Sequence, residues 1–409
     1  MNKVGFVGVG KLGKDVAEVI AESYDVTGFD IRPVNTSIKM ADSLKECVSG
    51  KDYVFIAVPT PHHPDYDGRF STSHLPSKDF DYSIVINVMK EIDLHVAKNT
   101  LVILISTMLP GTVRREIVPL INNSRFIYNP YLIAQGTVKY DMKNPEMIMI
   151  GTEDGSTTGD AKSLSNFYQP LLEKETRIEI GTWEEVESMK IFYNTFITAK
   201  LCLVNMIQDV AMNLGNMNVD KVTEALRNST DRIMGPKYMT AGLGDGGGCH
   251  PRDNIALIEF AKTKNLGYDL FSTIVSTREK QALNVAKFFQ KIGVETDETI
   301  CILGTGFKPG VNQLEGSPSI LVGHFLEKIG YQVEYDLIED KNGNVRDNPK
   351  VNNINSFKVF LLGWPKSFNN WTFPQGSIIV DVWRSFSPKE GLKVYHYGNT
   401  RNNKLGLIS

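Results

Sequence analysis

The stretch Lys3-Val4-Gly5-Phe6-Val7-Gly8-Val9-Gly10-Lys11-Leu12-Gly13 decides the fold predicted for the first part of the chain. It is a strand-like apolar run that ends in a Gly-x-Gly-x-x-Gly turn, and a helix is expected to follow from Lys14 to Glu22. A second strand, Val26 to Phe29, ends at Asp30, 20 positions after the middle glycine. Glycines in such a turn let a pyrophosphate approach the N-terminus of the helix closely. The order of elements therefore predicts a Rossmann-like, dinucleotide-binding unit.

The acid after the second strand indicates which dinucleotide binds. An acidic residue at the position of Asp30 holds the ribose hydroxyls of the adenosine, which favours NAD over NADP. Arg32 lies two residues further on and keeps NADP open. NAD is the cofactor that the sequence predicts.

The loops that follow two further predicted strands are expected to face the same crevice. The strands are 52–58 and 101–105, and their loops carry Thr60 and Thr107. Ligands of doubly wound sheets bind beyond the carboxyl ends of the strands, although a simple turn or N-cap role for both threonines stays open. The residues expected to contact the cofactor are Gly8, Val9, Gly10, Lys11, Leu12, Gly13, Asp30, Val58, Thr60 and Thr107.

Length and composition are those of a globular protein. A chain of 409 residues predicts two or three domains, and 42% hydrophobic with 22% charged residues is ordinary for a soluble protein. The net charge of −3 gives no reason to expect nucleic acid. No apolar run approaches the roughly 18 residues of a membrane span, and the strand-like start predicts no signal segment, which points to the cytoplasm.

The four cysteines, at positions 47, 202, 249 and 301, show no metal-binding spacing, and no metal is expected. Cys202 and Cys301 lie within apolar runs that are typical of a core. The pair His62-His63 could suggest a metal, but adjacent side chains converge poorly on one ion, which favours a solvated loop.

Cys249 has the chemically suggestive surroundings. It lies in Gly242-Leu243-Gly244-Asp245-Gly246-Gly247-Gly248-Cys249-His250-Pro251-Arg252-Asp253, where five glycines occupy the seven residues before the cysteine. So many glycines indicate a backbone that a ligand approaches closely. A cysteine in a polar, partly open pocket can ionise and attack carbon. A flexible surface loop is the alternative.

A long central helix is predicted between the two halves of the chain. Thr182 and Glu185 fit a capping box, and apolar residues then follow a helical period to Gly215. About 33 residues would give a helix about 50 Å long, and its apolar residues surround most of it, which predicts burial between domains or at a subunit interface. Lys190 and Asn194 share one face of this helix. A buried lysine needs a partner or a substrate, whereas a snorkelling lysine is the alternative.

A second α/β unit is expected from Thr299 onward. Its first strand, Ile300 to Leu303, ends in a glycine turn that departs from the dinucleotide pattern, and Lys308 after it suggests an anion. The fold class is therefore α/β, with two Rossmann-like, doubly wound parallel-sheet domains joined by a central helical dimerisation region. The predicted boundaries are 1–181 for the NAD-binding domain, 182–292 for the central helical domain with the cysteine motif, and 293–409 for the C-terminal domain.

Taken together, the motifs resemble the nucleotide-sugar dehydrogenase family, which includes UDP-glucose and GDP-mannose dehydrogenases, and its UDP-glucose 6-dehydrogenase branch above all. The resemblance covers nearly the whole chain, and the cysteine motif is its most specific part. The matching motifs are Gly8-x-Gly10-x-x-Gly13, Val58-Pro59-Thr60-Pro61, Ser106-Thr107, Lys190-x-x-x-Asn194, Asp231-Arg232-Ile233, Gly246-Gly247-Gly248-Cys249-His250-Pro251-Arg252-Asp253, Phe307-Lys308-Pro309 and Asp381-x-x-Arg384.

The resemblance implies a four-electron oxidation of the C6 alcohol of a nucleotide sugar, with UDP-glucose and UDP-glucuronate as the expected substrate and product. Cys249 would form a thiohemiacetal and then a thioester, and Lys190 and Asn194 would stabilise the oxygen that gains charge. Asp253 would act as a base or orient the water, and Thr107 would hold a water. The residues that the resemblance places at the substrate are Tyr131, Leu132, Gln135, Lys190, Asn194, Arg232, Tyr238, Gly246, Lys308 and Arg384.

In this family, an arginine like Arg232 reaches the substrate phosphate of a neighbouring subunit, which implies a homodimer. The chain departs from the family at Tyr131 and Gln135, where glutamates are usual, and Gln135 cannot act as a base. Three alternatives stay open: a UDP-N-acetylhexosamine or GDP-mannose 6-dehydrogenase, a two-electron β-hydroxyacid-type dehydrogenase, and a non-catalytic nucleotide-sugar binding protein.

Overall fold

The structure of the chain is a computed structural model. The residues that it describes are 2–61, 76, 79–134, 136–214, 216–235, 240–244, 258, 261–263, 265–306, 309, 313–314, 316–400 and 405–408. The chain divides into two compact units, Met1–Ala199 and Lys200–Ser409. The predicted division into three domains stays a prediction.

The first unit is built on an eight-stranded sheet in the order β3-β2-β1-β4-β5-β6-β7-β8. Neighbouring strands pair in parallel, except that β6 and β7 pair antiparallel. The strands are β1 (Lys3–Val7), β2 (Asp25–Phe29), β3 (Lys39–Met40), β4 (Tyr53–Ile56), β5 (Leu101–Leu104), β6 (Arg125–Tyr128), β7 (Ile148–Thr152) and β8 (Ile178–Thr182). The helices between them are α1 (Gly13–Ala21), α2 (Leu44–Val48), α3 (Ser83–Asp93), α4 (Val138–Lys143) and α5 (Gly159–Tyr168).

Apolar side chains cover both faces of this sheet. On β1, Val4 and Phe6 pack into one core cluster, and Val7 packs into the other. Alternate residues of a strand point to opposite faces, and a parallel sheet flanked by helices buries both. This explains why the strands read as nearly continuous apolar runs. The central strands β4 and β5 are buried along their whole length.

The second unit carries a six-stranded sheet in the order β10-β9-β13-β14-β15-β16. The strands are β9 (Thr299–Leu303), β10 (Gln332–Tyr335), β13 (Val359–Leu362), β14 (Ile378–Asp381), β15 (Lys393–His396) and β16 (Leu407–Ile408), and a separate hairpin consists of β11 (Leu337–Glu339) and β12 (Val345–Asp347). Its described helices are α7 (Val219–Arg227), α8 (Phe271–Lys291) and α9 (Pro318–Ile329). The strands pair in parallel, except for the antiparallel edge strand β16. The prediction of two Rossmann-like parallel sheets is confirmed.

The long central helix is confirmed as α6 (Trp183–Leu214), 32 residues long. Its capping box forms as predicted: the N–H of Thr182 donates to the Glu185 carboxylate at 2.8 Å, and the N–H of Glu185 donates to the Thr182 hydroxyl at 3.3 Å. These bonds satisfy N–H groups that the helix itself leaves without partners. Phe192 and Phe196 on this helix are more than half exposed in the single chain.

Replacing Thr182 with Ala is expected to lower the free energy of unfolding by about 1 kcal/mol, because the N–H of Glu185 loses its acceptor. Urea unfolding followed by circular dichroism would measure the change, with Thr182→Ser as the matched control that keeps the hydroxyl. An alanine variant as stable as the wild type would contradict the structural role of the cap.

Candidate active site

A cavity of about 980 Å³ lies at the carboxyl ends of strands β1, β2, β4, β5 and β6 of the first sheet. It brings together residues from the glycine turn, from the end of β2, and from the loops after β4, β5 and β6, with one residue of α6. The predicted site residues that line it are Gly8, Gly10, Lys11, Leu12, Gly13, Asp30, Val58, Thr60, Thr107, Tyr131 and Lys190. Val9 belongs to the predicted set as well, but its side chain is fully buried in the core.

The glycine turn is built so tightly that side chains cannot enter it. Gly8 has a φ of +95°, and a Cβ at this position would lie 2.7 Å from the carbonyl oxygen of Ala57. A Cβ on Gly13 would lie 2.0 Å from the carbonyl oxygen of Gly8. The first turn of α1 therefore packs directly onto the turn that precedes it, and only glycine permits both conformation and contact. This is the cradle that a pyrophosphate needs.

Asp30 follows β2 and faces the same cavity. Its carboxylate accepts a hydrogen bond from the N–H of Arg32 at 3.0 Å, which fixes the carboxylate beside the turn. A Cβ on Gly10 would lie 3.9 Å from the carboxylate. The distance between turn and acid suits a ribose attached to a bound pyrophosphate.

The loops after β4 and β5 are tied to each other. The hydroxyl of Thr60 donates to the carbonyl oxygen of Thr107 at 2.9 Å, and the hydroxyl of Ser106 donates to the carbonyl oxygen of Val58 at 2.6 Å. Thr60 thus has a turn-stabilising role and also lines the cavity. Thr107 takes part in this link only through its backbone carbonyl oxygen.

Lys190 projects from α6 to the loop after β6. Its ammonium donates to the carbonyl oxygen of Tyr131 at 2.8 Å, and burial lowers the pKa of Lys190. The hydroxyl of Tyr131 points elsewhere, since it is hydrogen-bonded to the hydroxyl of buried Tyr168 at 2.7 Å. Lys190 is therefore a half-buried donor beside the cavity and does not extend into solvent. Asn194, one turn later on α6, is exposed and is absent from the residues that line the cavity.

Comparisons with known proteins agree with the resemblance to nucleotide-sugar dehydrogenases. Models of the UDP-glucose/GDP-mannose dehydrogenase family match the chain twice: the NAD binding domain over residues 32–172 and the central domain over residues 184–280. The chain belongs to this family.

Curated relatives have low identity to the chain. A UDP-glucose 6-dehydrogenase of Rhizobium meliloti is 29% identical over 304 residues, which are 72% of this chain and 66% of that protein. One from Bacillus subtilis is 26% identical over 306 residues, which are 72% of this chain and 64% of that protein. The match thus spans slightly less than two thirds of the length of these relatives.

Among solved structures, a ternary complex of GDP-mannose dehydrogenase from Pseudomonas aeruginosa shares the fold. Its TM-score is 0.78 at 22% identity, and the match covers 96% of this chain and 99% of that one. The prediction of NAD as the cofactor is confirmed at the level of the domain, because the chain carries the NAD-binding domain of this family.

Six predicted site residues of this family member lie outside the described residues. They are Cys249, Asp253, Gln135, Tyr238, Gly246 and Lys308, and the pair His62-His63 lies outside them too. Their roles stay predictions. Leu132 is described but packs against the second core cluster of the first unit and does not line the cavity.

Two predicted substrate residues are described in the second unit. Arg232 is exposed. Arg384 adopts a left-handed φ of +55°, and its guanidinium donates to the carbonyl oxygens of Val382 at 2.7 Å, Tyr397 at 3.0 Å and Ala241 at 2.5 Å. In this conformation Arg384 braces the loops around it, and its predicted contact with substrate stays a prediction.

The sequence reasoning missed two acids that bind backbone N–H groups. Glu187, one turn before Lys190, has no exposed surface, and its carboxylate accepts from the N–H groups of Gly111 at 2.6 Å and Val113 at 2.7 Å. Burial raises the pKa of Glu187 to about 7. The sequence contained one sign of this role, namely an acid three positions before Lys190 on a largely apolar helix.

The other acid is Asp336, which follows β10 as Asp30 follows β2. Its carboxylate accepts from the N–H groups of Gly304 at 2.6 Å and Thr305 at 3.0 Å, and from the Thr305 hydroxyl. Asp336 thus binds the N–H groups of the first two residues of this turn. In the first unit the N–H of Gly8 donates to the carbonyl oxygen of Phe29 at 2.9 Å instead, and Asp30 faces the cavity.

Within the described residues, no group of three or more His, Cys, Asp or Glu is arranged to hold a metal ion. No helix in that part of the chain combines the length and the apolar character that crossing a membrane requires.

Replacing Asp30 with Ala is expected to weaken NAD binding at least ~10-fold, the cost of losing a charge-assisted hydrogen bond. The same change should narrow the preference for NAD over NADP, because a 2′-phosphate no longer meets a carboxylate. Calorimetric titration with both dinucleotides would measure the two effects. Asp25→Ala, at the other end of β2, is the matched control. A variant that keeps the wild-type preference would exclude Asp30 as the ribose ligand.

Proposed function

We propose that the chain is an NAD-dependent nucleotide-sugar 6-dehydrogenase that oxidises the C6 alcohol of UDP-glucose to a carboxylate. The observation that carries the proposal is the cavity in which Asp30, Thr107 and Lys190 line one space. Membership of the UDP-glucose/GDP-mannose dehydrogenase family supports it. UDP-glucose is favoured over other sugars because the curated relatives are named UDP-glucose 6-dehydrogenases.

The residues of the first unit fit NAD. The turn around Gly8 and Gly13 has no room for side chains, and Asp30 stands beside it. When bound, NAD⁺ supplies a hydride acceptor, and the oxidation of an alcohol to an acid needs two hydride transfers. The chain's own residues must orient the sugar, exclude water until the last step, and handle the protons.

Lys190 is suited to stabilise the oxygen at C6. Its ammonium is half-buried at the cavity and is held at 2.8 Å from the carbonyl oxygen of Tyr131. A preorganised donor in a site of low dielectric stabilises developing negative charge far more than a donor in water. The lowered pKa of Lys190 also eases donation of a proton to that oxygen.

We assign the covalent step to Cys249. In the proposed reaction its thiolate sulfur bonds to the aldehyde carbon formed by the first oxidation, and the former carbonyl oxygen takes up a proton. That proton and a hydride from C6 then leave, which produces a thioester. Water cleaves the thioester and releases the carboxylate and the thiol.

Asp253 is the base that we propose for the water. Gln135 cannot accept the proton, and Tyr131 is an unsuitable substitute because its hydroxyl is bound to Tyr168 and burial raises its pKa. Asn194 stays a second proposed donor to the C6 oxygen.

The wild-type enzyme is expected to form two NADH for each UDP-glucose consumed. Cys249→Ala should reduce formation of the uronate at least ~10³-fold, the scale of losing a covalent catalyst, while weak alcohol oxidation persists. Absorbance of NADH together with chromatography of the product would measure both, across UDP-glucose, UDP-N-acetylhexosamines and GDP-mannose.

Cys47→Ala is the control, because Cys47 is buried in the core of the first unit. Near wild-type uronate formation by Cys249→Ala would exclude the covalent mechanism. One NADH per sugar would favour a two-electron, hydroxyacid-type dehydrogenase, and bound cofactor without turnover would favour a binding protein.

We also propose a homodimer, in which α6 contributes to the interface. Phe192, Phe196 and Ile197 on this helix are 55%, 56% and 44% exposed in the single chain. Exposed apolar side chains grouped on one helix are typical of a protein interface. Arg232 is the residue that would then reach the neighbouring subunit. Cytoplasmic localisation stays a prediction.

Phe196→Asp is expected to shift the protein from dimer to monomer, because a carboxylate buried in an apolar interface lacks a partner. Light scattering at assay concentration would measure the mass. Tyr140→Asp is the matched control, since Tyr140 is 65% exposed but lies on α4 and not on α6. A wild-type protein that is monomeric and active would exclude the dimer.

A further inference from the structure

The loop between β5 and the following helical turn carries Thr107 and is held by side chains from other elements. At its start, the hydroxyl of Thr60 donates to the carbonyl oxygen of Thr107 at 2.9 Å. In its middle, the N–H of Met108 donates to the hydroxyl of Tyr128 at 3.2 Å. Loops of this length without regular structure owe their conformation to such bonds.

Glu187 holds the far end of the same loop. One oxygen of its carboxylate accepts from the N–H of Gly111 at 2.6 Å, and the other accepts from the N–H of Val113 at 2.7 Å. Gly111 has a φ of +86°, so the chain reverses there in a conformation that favours glycine. Hydrogen bonds from N–H groups to a carboxylate are roughly twice as strong as those to a neutral acceptor.

A carboxylate without exposed surface is costly to keep charged. An apolar residue would fill the same space on α6 without that cost, so packing alone does not explain Glu187. What an apolar residue cannot do is bind two N–H groups at once. Glu187 also lies one turn before Lys190, so one short segment of α6 both holds the loop and supplies the ammonium at the cavity.

We propose that Glu187 is a positioning residue that fixes residues 106–113 so that Thr107 lies against the bound cofactor. The proposal rests on the proposed function only in that the cavity binds NAD. Glu187 does not line the cavity itself, and it acts through the loop.

We call the two hydrogen bonds from the N–H groups of Gly111 and Val113 to the Glu187 carboxylate the clamp. Its strength should depend on pH, because Glu187 can lose its charge. The charged or titratable groups that interact with Glu187 are Glu184 on α6, Arg114 on the helical turn after the loop, and Tyr128 on β6. The Arg114 side chain lowers the pKa of Glu184, Glu184 raises the pKa of Arg114, and burial raises the pKa of Tyr128. Of these four groups only Glu187, with a pKa of about 7, changes its charge between pH 6 and 8.

Protonation has opposite effects on the clamp and on stability. Below pH 7 the carboxyl loses its charge and binds the two N–H groups more weakly, so NAD affinity should fall as the pH falls from 8 to 6. The folded state, in contrast, binds this proton more tightly than the unfolded state. The stability that comes from protonation is complete below the unfolded pKa of 4.5 and is lost as the pH rises through 7.

The test is NAD binding by calorimetry at pH 6, 7 and 8 for the wild type and for Glu187→Gln. At pH 8 the glutamine variant should bind at least ~10-fold more weakly, the scale of one lost charge-assisted hydrogen bond, and its affinity should no longer depend on pH. Glu184→Gln is the matched control. Glu184 is an acid on the same helix, but it pairs with the exposed Arg114 side chain and accepts no backbone N–H group of the loop.

Glu187→Asp keeps the charge on a shorter side chain and should retain the pH dependence with an intermediate affinity. If Glu187→Gln does not fold, the comparison of Glu187→Asp with the wild type takes its place. A wild-type affinity that is constant from pH 6 to 8, or a glutamine variant that behaves like Glu184→Gln, would overturn the proposal.

A wild type that fails to bind NAD at any pH would instead refute the proposed function. The clamp is then tested by thermal unfolding alone. The melting temperature of Glu187→Gln relative to the wild type should rise between pH 5 and 8, and a constant difference would overturn the clamp.

Discussion

The contact between Gly13 and the carbonyl oxygen of Gly8 is the constraint on which the first unit depends. No Cβ fits between them, since it would lie 2.0 Å from that oxygen. The contact brings the first turn of α1 against the end of β1, and the free N–H groups of the helix then face the cavity. Asp30 and Thr107 reach the same space because β2 and β5 end at the same edge of the sheet, and Lys190 reaches it from α6.

The central elements of the fold could be predicted from the sequence, whereas several short strands could not. The glycine turn, the central strands and α6 combine strong apolar patterns with specific capping or turn residues. The apolar pattern and the capping or turn residues therefore predict the same elements. The strands β15 and β16 and the hairpin of β11 and β12 were missed. They are two to four residues long, and all but β16 mix charged or polar with apolar side chains, so their pairing is decided by neighbours that are distant in sequence.

The candidate site divides in the same way. Residues of the glycine turn could be predicted because their role follows from backbone geometry. The role of Glu187 could not, because it depends on a loop 74 residues earlier in the chain. The partner of Lys190 is likewise a backbone carbonyl, which has no signature in the sequence. Tyr131 shows the reverse case: its place in the family's motif suggested a polar role at the substrate, whereas its hydroxyl is part of the core.

The acid beside the glycine turn of the second unit bears on how the two cofactor molecules are used. The carboxylate of Asp336 accepts the N–H groups of Gly304 and Thr305, whereas the carboxylate of Asp30 lines the cavity. The two similar sheets thus do not present equivalent acids to the ribose of a dinucleotide. If both hydrides of the proposed oxidation leave through the cavity of the first unit, spent cofactor must be exchanged for fresh cofactor while the sugar is half oxidised. A free aldehyde could diffuse away during that exchange, and a covalent bond to the protein would keep it in place until the second cofactor arrives.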